Sequence, residues 1–270
     1  MNVNGNANAN GNANGKRAVI TGGSSGIGLA LVRELASRGW AIALLARRND
    51  LVEQYAKELP QAVGIGCDVG DLGQVRDAVA RAREALGGEF DLAVANAGIS
   101  VPTWATDFKV EDAERIMRVN VLGMFYLFDA TVAPMLARGS GHFAGIASIA
   151  GLRGLPSGSV YSASKAAMQN FLEASRVELA PRGVDVTVVN PGWVRTPIID
   201  KYRGAIPFVM SAEKAARIIA NGIEHRKRTV EFPLPISLTM RLVRMMPAAL
   251  YDRAMRPYAR RKIDPEKVRR

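Results

Sequence analysis

A tyrosine and a lysine stand four residues apart in a stretch with helical periodicity, YSASKAAMQNFLEASRVEL. Side chains at that spacing lie one turn apart on the same helix face, so the Lys165 ammonium and the Tyr161 phenol can come close together. A phenol with an ordinary pKa of about 10 is a poor base at neutral pH, and a nearby positive charge lowers that pKa. The pair therefore predicts acid–base chemistry with Tyr161 as the proton carrier. The alternative is an ordinary amphipathic helix without a catalytic role.

A glycine-rich turn follows the short apolar run AVIT and precedes an amphipathic helical pattern, and it reads Gly22-Gly23-Ser24-Ser25-Gly26-Ile27-Gly28. Glycines let the backbone turn sharply and approach a phosphate, and a helix N-terminus offers free N–H groups and the positive end of a dipole. In this strand–turn–helix context the cluster predicts a dinucleotide-binding site. A tight structural turn without a ligand is the alternative.

Two arginines follow the next apolar run, at the position where dinucleotide folds that use NAD carry a carboxylate. Ala46 stands at the predicted strand tip, and Arg47 and Arg48 come directly after it. A guanidinium offers a fork of donors to a phosphate, so the pattern favours NADP(H) over NAD(H). Arg47 is the stronger candidate because it lies nearer the strand end. The alternative is that both arginines are solvated loop residues.

The elements that must position these residues follow a regular order from Lys16 onward. Short β-rich apolar runs alternate with longer helical patterns, which predicts a parallel sheet covered by helices on both faces. The predicted strands are Arg17–Thr21, Ala41–Ala46, Ala62–Cys67, Asp91–Ala95, His142–Ser148, Val184–Asn190 and Thr229–Phe232. The predicted helices lie near 27–38, 50–58, 72–86, 111–137, 160–180 and 211–223. The expected fold class is α/β, a doubly wound parallel sheet of about seven strands.

The chain resembles the short-chain dehydrogenase/reductase family, whose members are single-domain Rossmann-fold oxidoreductases. The resemblance covers about residues 16–200, and the spacing TGxxxGxG of its glycine turn differs from the general GxGxxG pattern. The matching positions are Thr21-Gly22 to Gly28, Cys67-Asp68-Val69, Asn96-Ala97-Gly98, Asn120, Ser148, Tyr161 with Lys165, and Pro191-Gly192. The resemblance implies hydride transfer between a nicotinamide cofactor and a carbonyl or alcohol.

Four residues would carry the reaction, by this resemblance. Ser148 would orient the substrate and donate a hydrogen bond to its oxygen, and Tyr161 would exchange a proton with that oxygen, so both would bind substrate. Lys165 would lower the Tyr161 pKa and hold the nicotinamide ribose. Asn120 would hold a water that joins Lys165 to solvent as a proton relay. A solvated or interface asparagine is the alternative for Asn120.

The resemblance also implies contacts with the adenosine half of the cofactor. Asp68 would hydrogen-bond the adenine amino group, with the Val69 backbone beside it. The segment Asn96-Ala97-Gly98 would line the adenosine ribose and brace the sheet. A purely structural turn is the alternative for that segment.

A loop after the sixth predicted strand would bind the nicotinamide half, again by resemblance. It begins at Pro191-Gly192 and lies at the carboxyl edge of the sheet, where doubly wound folds bind ligands. The Val194 backbone and the Thr196 hydroxyl would bond the carboxamide. The residues beyond, Ile198–Met210, are expected to form a mobile substrate lid.

The positive charge of +11 is confined to the end of the chain. Residues 1–200 contain 19 Lys and Arg against 19 Asp and Glu, whereas residues 201–270 contain 17 against 6. Nucleic-acid binding by the main body is therefore not expected. The domain is expected to span residues 16–225, after a disordered low-complexity leader over residues 1–15 and before a basic, apolar extension over residues 226–270.

Composition also bears on location and metals. The single cysteine, Cys67, cannot form an internal disulfide, and the first fifteen residues lack a secretory pattern, so a cytoplasmic location is expected. No apolar run approaches the roughly eighteen residues that cross a bilayer, so no spanning helix is expected. Two histidines, one cysteine and scattered carboxylates imply no metal site.

The extension combines apolar stretches with arginines. In RKRTVEFPLPISLTMRLVRMMPAALYDRAMRPYARRK, Arg241 and Arg244 share a helical face beside a broad apolar one. Three interpretations stay open: a helix over its own substrate pocket or against a second subunit, a membrane-surface helix, and a site for an acidic partner such as an acyl carrier protein or nucleic acid. The family is commonly dimeric or tetrameric, so a homo-oligomer is expected.

The favoured function is an NADP(H)-dependent carbonyl reductase or alcohol dehydrogenase with a hydrophobic small-molecule substrate. The extension differs from the short glycine-rich ending of the family's 3-oxoacyl-carrier-protein reductases, which argues against that activity. A catalytically silent NADP(H)-binding regulator or scaffold is the alternative, and loss of Tyr161 or Lys165 would be its simplest signature. A sugar-nucleotide epimerase or dehydratase would have a TGxxGxxG turn and a longer C-terminal substrate domain, which do not match this sequence.

Overall fold

The computed structural model describes residues 15–197, 199 and 208–259. Three predictions fall wholly or mostly outside these residues. They are the disordered leader over residues 1–15, the lid over Ile198–Met210 and the end of the extension beyond residue 259.

A parallel sheet of seven strands forms the centre of the described chain. The strands are β1 (Arg17–Thr21), β2 (Ala41–Ala46), β3 (Ala62–Gly66), β4 (Leu92–Ala95), β5 (Gly141–Ile146), β6 (Val184–Pro191) and β7 (Thr229–Phe232). Their spatial order is β3-β2-β1-β4-β5-β6-β7, and every pairing is parallel. β2 and β5 are buried along their whole length because helices cover both faces of the sheet. The predicted α/β doubly wound fold is confirmed.

The helices pack in two layers. They are α1 (Gly26–Ser37), α2 (Asn49–Lys57), α3 (Leu72–Leu86), α4 (Val110–Met117), α5 (Gly123–Arg138), α6 (Ser159–Leu179), α7 (Ala212–Glu224), α8 (Leu234–Met245) and α9 (Ala248–Ala259). Side chains of α1, α2 and α7 form the core on one face of the sheet, and those of α3, α5 and α6 form the core on the other. The strand order changes direction between β1 and β4, so the loops that follow these strands flank a crevice at the carboxyl edge.

The predicted helix over residues 111–137 is divided into three parts. α4 and α5 are separated by a wider π-helical turn, Arg118–Leu122, in which the Gly123 N–H bonds the Arg118 carbonyl. Hydrophobic periodicity does not show such a turn, because one extra residue shifts the pattern only slightly. π turns of this kind are frequent at functional sites, and this one contains Asn120.

Within the described part of the chain, one helical stretch, Val110–Arg138, is long and apolar enough to cross a membrane by length and composition. The sequence was expected to contain no stretch of this length and composition, and that expectation was wrong. Met124, Leu127 and Met135 of this stretch are buried in the core against the sheet. Packing inside the fold therefore accounts for its apolar composition.

The expected extension over residues 226–270 begins inside the sheet. β7 pairs with β6 in parallel: Thr229 lies opposite Val188 at one end, and Phe232 lies opposite Pro191 at the other. Residues 229–232 therefore form the edge of the sheet. α8 follows directly and packs against β7, and α9 follows α8 after a short connection. The part of the described extension that lies outside the sheet is therefore this pair of helices.

His142 is a buried titratable group away from the crevice. It lies on β5 with 7% exposure, and its Nε2 is 2.8 Å from Thr187 Oγ1 on β6. The Thr187 hydroxyl donates to the Lys227 carbonyl at 2.6 Å, so its oxygen accepts a hydrogen bond from the N–H at His142 Nε2. The pKa of His142 is lowered to about 4, chiefly by burial; Asp185 opposes this change and Arg226 adds a smaller lowering. The native state therefore holds a neutral imidazole.

We expect the stability of the protein to fall in mild acid because of His142. Between pH 6.5 and 4 the unfolded chain binds a proton that the folded chain does not, so unfolding becomes easier as pH falls. This contribution is about 2 kcal/mol between pH 7 and 5. Urea unfolding of wild type and His142→Gln at both pH values measures it, because the variant lacks this component. His225→Gln, at an exposed histidine, is the control and should keep the wild-type pH dependence of the free energy of unfolding. If His142→Gln also kept that dependence, the assignment to His142 would be wrong.

Candidate active site

The glycine turn occupies the carboxyl end of β1. Gly22 and Gly26 have φ angles of +70° and +54°, which favour glycine. A Cβ atom on Gly28 would lie 2.3 Å from the Gly22 carbonyl oxygen and 2.4 Å from Asn96 Nδ2. The turn can therefore take this shape only with glycine at these positions, and a side chain on Gly28 would collide with the strand it packs against.

Asn96 holds the turn in place from β4. Its Nδ2 donates to the carbonyls of Thr21 at 2.9 Å and Gly22 at 3.3 Å. The Thr21 hydroxyl oxygen in turn accepts from the backbone N–H groups of Asn96 and Ala97 at 3.1 and 3.2 Å. These bonds brace the two central strands. The contact of Asn96-Ala97-Gly98 with a ribose stays a prediction.

The first turn of α1 has the properties of a phosphate site. Ser25 is its N-cap residue, and no side chain caps the helix there. The first N–H groups of a helix have no intrahelical partner, so those of Gly26, Ile27 and Gly28 are available to an anion at the positive end of the dipole. The turn and the helix start thus fit the pyrophosphate of a dinucleotide.

Arg48 is the arginine that contacts this turn. Its Nη2 donates to the Ser24 carbonyl at 3.2 Å and to Ser24 Oγ at 3.0 Å. Arg47 and Arg48 are both exposed, so these hydrogen bonds, and not burial, distinguish the two. Arg47 was the stronger candidate from the sequence because it lies nearer the strand end. Arg48 is the N-cap residue of α2, where the chain leaves the sheet edge, and there its side chain lies against the turn. Arg48 is therefore the arginine that lies against the glycine turn, and which of the two arginines meets a cofactor phosphate stays a prediction.

Asp68 and Val69 follow β3 on the same edge of the sheet. Asp68 Oδ1 accepts from the Gly70 N–H at 2.9 Å, and its backbone N–H donates to Gln74 Oε1 at 3.0 Å. Val69 is buried, and a Cβ on Gly123 would lie 2.9 Å from its Cγ2. The local bonds fix the orientation of the Asp68 carboxylate; its bond to adenine stays a prediction.

Lys165 is buried beneath the candidate proton carrier. Its Nζ donates to the Ile146 carbonyl at 2.7 Å and lies 5.8 Å from the centroid of the Tyr161 ring. Lys165 is 4% exposed, and burial lowers its pKa to about 7. Tyr161 is half-buried one turn earlier on α6. The predicted juxtaposition of ammonium and phenol is thus present in the structure.

Ser148 lies just beyond β5. Its Oγ accepts from the Ala150 N–H at 3.1 Å, which caps a short 3₁₀ turn, and donates to the Pro191 carbonyl at 3.4 Å. The second bond is near the distance limit of a hydrogen bond, so a substrate oxygen can replace the Pro191 carbonyl as acceptor. The strand was predicted to extend to Ser148 and ends at Ile146 instead, because the capped turn takes the chain out of the sheet.

Asn120 joins the crevice loop to α6. Its Oδ1 accepts from the Ile99 N–H at 2.8 Å, and its Nδ2 donates to the Ile99 carbonyl at 3.1 Å and to Ser164 Oγ at 3.0 Å. A Cβ on Gly98 would lie 3.4 Å from Asn120 Oδ1 and 3.5 Å from Lys165 Nζ. Asn120 is fully buried, so the alternative of a solvated residue is wrong. Its part in a proton relay stays a prediction.

A polar chain behind Ser148 was not anticipated from the sequence. Gln169 Nε2 donates to the Ser148 carbonyl at 2.7 Å and to Asn190 Oδ1 at 2.8 Å. Asn190 Nδ2 donates to Glu231 Oε1 at 3.1 Å, and Glu231 Oε2 accepts from Arg241 at 3.1 Å. One signal was available: Gln169 lies four residues after Lys165 on the same helix face. Its partners are distant in sequence and had no signal.

The loop after β6 reaches the glycine turn. The Gly192 N–H bonds the Phe232 carbonyl at 2.7 Å, and Val194 is buried and bridges to Met210. A Cβ on Gly26 would lie 3.0 Å from Thr196 Cγ2, so Thr196 lies against the start of α1. Pro191 accepts the Ser148 hydrogen bond. The loop thus connects the candidate cofactor turn with the candidate catalytic serine.

A surface cavity of about 470 Å³ lies beside this loop, between α1 and α7. Its lining includes Gly26 and Thr196 as well as the charged residues Arg33 and Glu213. It borders the cofactor turn and is not lined by Ser148 or Tyr161. The arrangement of the candidate catalytic side chains, rather than this cavity, therefore defines the candidate active site.

The Cys67 thiol is buried and is not a candidate nucleophile. Burial raises the pKa of the Cys67 thiol to about 12, and neighbouring carboxylates such as Asp68 add to this effect. The thiol is therefore protonated at neutral pH and is a poor nucleophile. Among the described residues, no group of three His, Cys, Asp or Glu side chains could hold a metal ion.

Comparison with known proteins agrees with this geometry. Residues 16–206 match the family model for short chain dehydrogenases. An uncharacterized oxidoreductase of Myxococcus xanthus is 34% identical over 245 residues, covering 89% of this chain and 96% of that protein. The 2-dehydro-3-deoxy-L-rhamnonate dehydrogenase (NAD(+)) of a Sphingomonas species is 34% identical over 69% of this chain and 75% of its own.

A solved structure gives the same result for the fold. A short-chain dehydrogenase/reductase from Burkholderia phymatum in complex with NAD has a TM-score of 0.77 and 25% identity, covering 84% of this chain and 92% of its own. The class is therefore that of oxidoreductases whose fold binds a nicotinamide cofactor. The chain belongs to the short-chain dehydrogenase/reductase family.

Proposed function

We propose that the protein is an NADP(H)-dependent oxidoreductase that interconverts a carbonyl compound and its alcohol. The observation that carries the proposal is the buried Lys165 ammonium beneath Tyr161, with Ser148 and the glycine turn at the same edge of the sheet. Among the described residues Lys165 has no carboxylate partner, and burial of an unpaired ammonium costs free energy. Its retention beside a phenol is best explained by proton chemistry.

The side chains have distinct parts in the proposed reaction. When bound, the nicotinamide cofactor supplies the hydride for the carbonyl carbon. Tyr161 donates its proton to the carbonyl oxygen, and the Lys165 ammonium stabilises the phenolate that remains. The Ser148 hydroxyl donates to the same oxygen, on which negative charge grows. In the oxidative direction the Tyr161 phenolate accepts the alcohol proton.

The preference for NADP(H) is part of the proposal. Ala46, followed by Arg47 and Arg48, stands at the tip of β2 in place of a carboxylate, and Arg48 lies within hydrogen-bond distance of Ser24 in the glycine turn. A carboxylate at that position would favour NAD, whereas a guanidinium there can bind the additional phosphate of NADP. The Burkholderia and Sphingomonas relatives are named with NAD. The proposal therefore separates this chain from those two proteins.

Arg48→Asp is expected to weaken NADPH binding by about 10- to 100-fold while NADH binding changes little. The substitution removes a donor and places a negative charge near the phosphate. Titration of the intrinsic NADPH and NADH fluorescence measures both affinities. Arg47→Asp is the matched variant, because it makes the same charge change at the adjacent exposed arginine. If Arg47→Asp weakened NADPH binding more than Arg48→Asp did, the phosphate contact would belong to Arg47. If neither variant changed the ratio of NADPH affinity to NADH affinity, the proposed NADP(H) preference would be wrong.

We further propose a hydrophobic ketone, aldehyde or alcohol as substrate and a cytoplasmic homodimer or homotetramer as the working form. The apolar helices that follow directly after β7 support the hydrophobic substrate. The support for the assembly is that family members generally form oligomers. Size-exclusion chromatography with light scattering tests the assembly. Charge-neutral lipophilic carbonyls should be reduced faster than polar ones of equal size.

The first experiment combines cofactor titration with turnover. Purified protein is titrated with NADPH and NADH, and NADPH oxidation is then followed across aliphatic, aromatic, steroid and acyl-thioester carbonyls. Binding of NADPH with turnover of at least one class is the expected result. Binding without turnover would favour the silent regulator, and failure to bind either nucleotide would contradict the proposed function.

A further inference from the structure

Four large apolar side chains form an exposed stripe on α8. Leu234, Leu238, Leu242 and Met245 are 68%, 60%, 63% and 72% exposed, respectively. Residues spaced by four, four and three lie on one helix face, so these side chains are neighbours. We refer to these four residues as the α8 stripe. A contiguous apolar patch of this kind marks an interaction surface more often than scattered apolar residues do.

The opposite face of α8 holds the helix on the protein. Ser237 is 2% exposed and donates to the Pro233 carbonyl at 3.2 Å, and Met240 and Val243 are half-buried. These residues attach α8 to the rest of the protein, and the residues of the stripe are not needed for that attachment. No described part of the chain covers the stripe, so its apolar area is not needed for packing within this described fold.

The charges near the stripe favour an anionic surface. α8 and α9 together contain four arginines and one carboxylate, Asp252. Arg241 pairs with Glu231 at 3.1 Å, whereas Arg244, Arg253 and Arg256 have no carboxylate partner among the described residues. An apolar helix face edged by arginines matches a bilayer surface, which offers acyl chains and anionic headgroups side by side.

A second copy of the chain fits this surface less well. In a two-fold dimer the same patch meets itself, so the arginines beside one stripe would approach those beside the other. That contact would place like charges together. An acidic bilayer satisfies both the apolar and the basic parts of the surface.

We propose that the α8 stripe, with the arginines of α8 and α9, docks on a membrane surface that contains anionic lipid. The helices would lie along the interface rather than cross it. Leu234, Leu238, Leu242 and Met245 would enter the boundary between headgroups and acyl chains, and the guanidinium groups would bind the headgroup phosphates.

The docking helices are attached to the loop that follows Ser148. Arg153 Nη1 donates to the Arg244 carbonyl at 3.0 Å, and its guanidinium lies 4.5 Å from the centroid of the Tyr251 ring. The Tyr251 hydroxyl donates to the Gly154 carbonyl. Docking therefore holds this loop near the bilayer. This last step rests on the proposed function: an enzyme held at the bilayer in this way would act on a lipophilic carbonyl or alcohol that dissolves in lipid.

Vesicle sedimentation of the full chain tests the docking. Sucrose-loaded vesicles of phosphatidylcholine are compared with vesicles that also contain roughly a third phosphatidylglycerol. Wild type should bind the anionic vesicles at least about tenfold more tightly, and the double variant Leu238→Gln, Leu242→Gln should lose about tenfold or more of that affinity. Val110→Gln, Val177→Gln is the matched control, because both valines are exposed and lie outside the stripe. It should bind as wild type does.

The outcomes separate docking from catalysis. The assay contains no nucleotide or carbonyl, so its result does not depend on the proposed reaction. Thermal unfolding of the variants checks that they fold, as expected for exposed positions. Absence of binding to anionic vesicles, or equal binding by the stripe variant, would refute the proposal. If wild type does not bind vesicles and the stripe variant dissociates an oligomer, the stripe is an interface between copies.

Discussion

Tyr161→Phe is expected to lower kcat/KM by about 10²- to 10⁴-fold or more while the affinity for NADPH stays within a few-fold of wild type. The phenylalanine keeps the ring on α6 but removes the hydroxyl, so no group at that position can give a proton to the carbonyl oxygen. The loss should appear mainly in kcat, because the hydroxyl acts in the transition state. Steady-state rates and fluorescence titration of NADPH measure the two quantities separately.

The matched control is Tyr126→Phe on α5. Tyr126 is half-buried against the core on the sheet face opposite α1, outside the crevice, so loss of its hydroxyl should leave kcat unchanged. If Tyr161→Phe retained activity, Tyr161 would not be the proton carrier. A joint loss of NADPH binding would instead indicate damage to the cofactor site.

Lys165→Met is expected to lower activity and raise stability together. The variant loses the ammonium that stabilises the phenolate, so kcat should fall by about 10²-fold or more. It also removes a charge that is buried in wild type, where the native pKa is about 7 instead of 10.5. Methionine has a similar length and can fill the space beside Met168. The free energy of unfolding without cofactor should therefore increase on the order of 3 kcal/mol at pH 7.

The pH dependence identifies the source of that gain. Between pH 7 and 10.5 the unfolded wild type binds a proton at Lys165 that the folded protein has released, so wild-type stability rises with pH in this range. Lys165→Met lacks this rise, and the difference between the two proteins should shrink as pH approaches 10.5. Urea unfolding at several pH values measures it. Lys57→Met, at an exposed lysine on α2, is the control and should show no such difference. A gain that did not change with pH would come from packing rather than from charge.

The sheet could be predicted because its signals are local. The strand AIALLA is apolar at every position, as a strand covered on both faces must be, and its bounds agree with β2. The TGxxxGxG turn follows β1 in the structure, as its spacing predicts. Tyr161 and Lys165 were brought together by the four-residue spacing of a single helix. Each of these inferences needed only neighbours in sequence.

Features that depend on distant residues could not be predicted. Whether Arg47 or Arg48 contacts the glycine turn depends on where the chain enters α2, and Ser24 is 24 residues away from Arg48. The buried position of Asn120 depends on the π turn and on bonds to Ile99 and Ser164. Periodicity does not specify such partners, because the local pattern is the same for a solvated asparagine.

The row of hydrogen bonds from Ser148 to Arg241 fixes the orientation of its side chains and does not conduct protons. Gln169 Nε2 donates hydrogen bonds both to the Ser148 carbonyl and to Asn190 Oδ1. Asn190 Nδ2 in turn donates to the Glu231 carboxylate. An amide flip of Asn190 would set nitrogen against nitrogen and oxygen against carboxylate, so its orientation is fixed. Amide groups do not relay protons readily, which excludes a proton wire. The chain instead joins the Ser148 backbone through Gln169, Asn190 and Glu231 to Arg241 on α8, so the candidate catalytic serine and the helix after β7 share one set of hydrogen bonds.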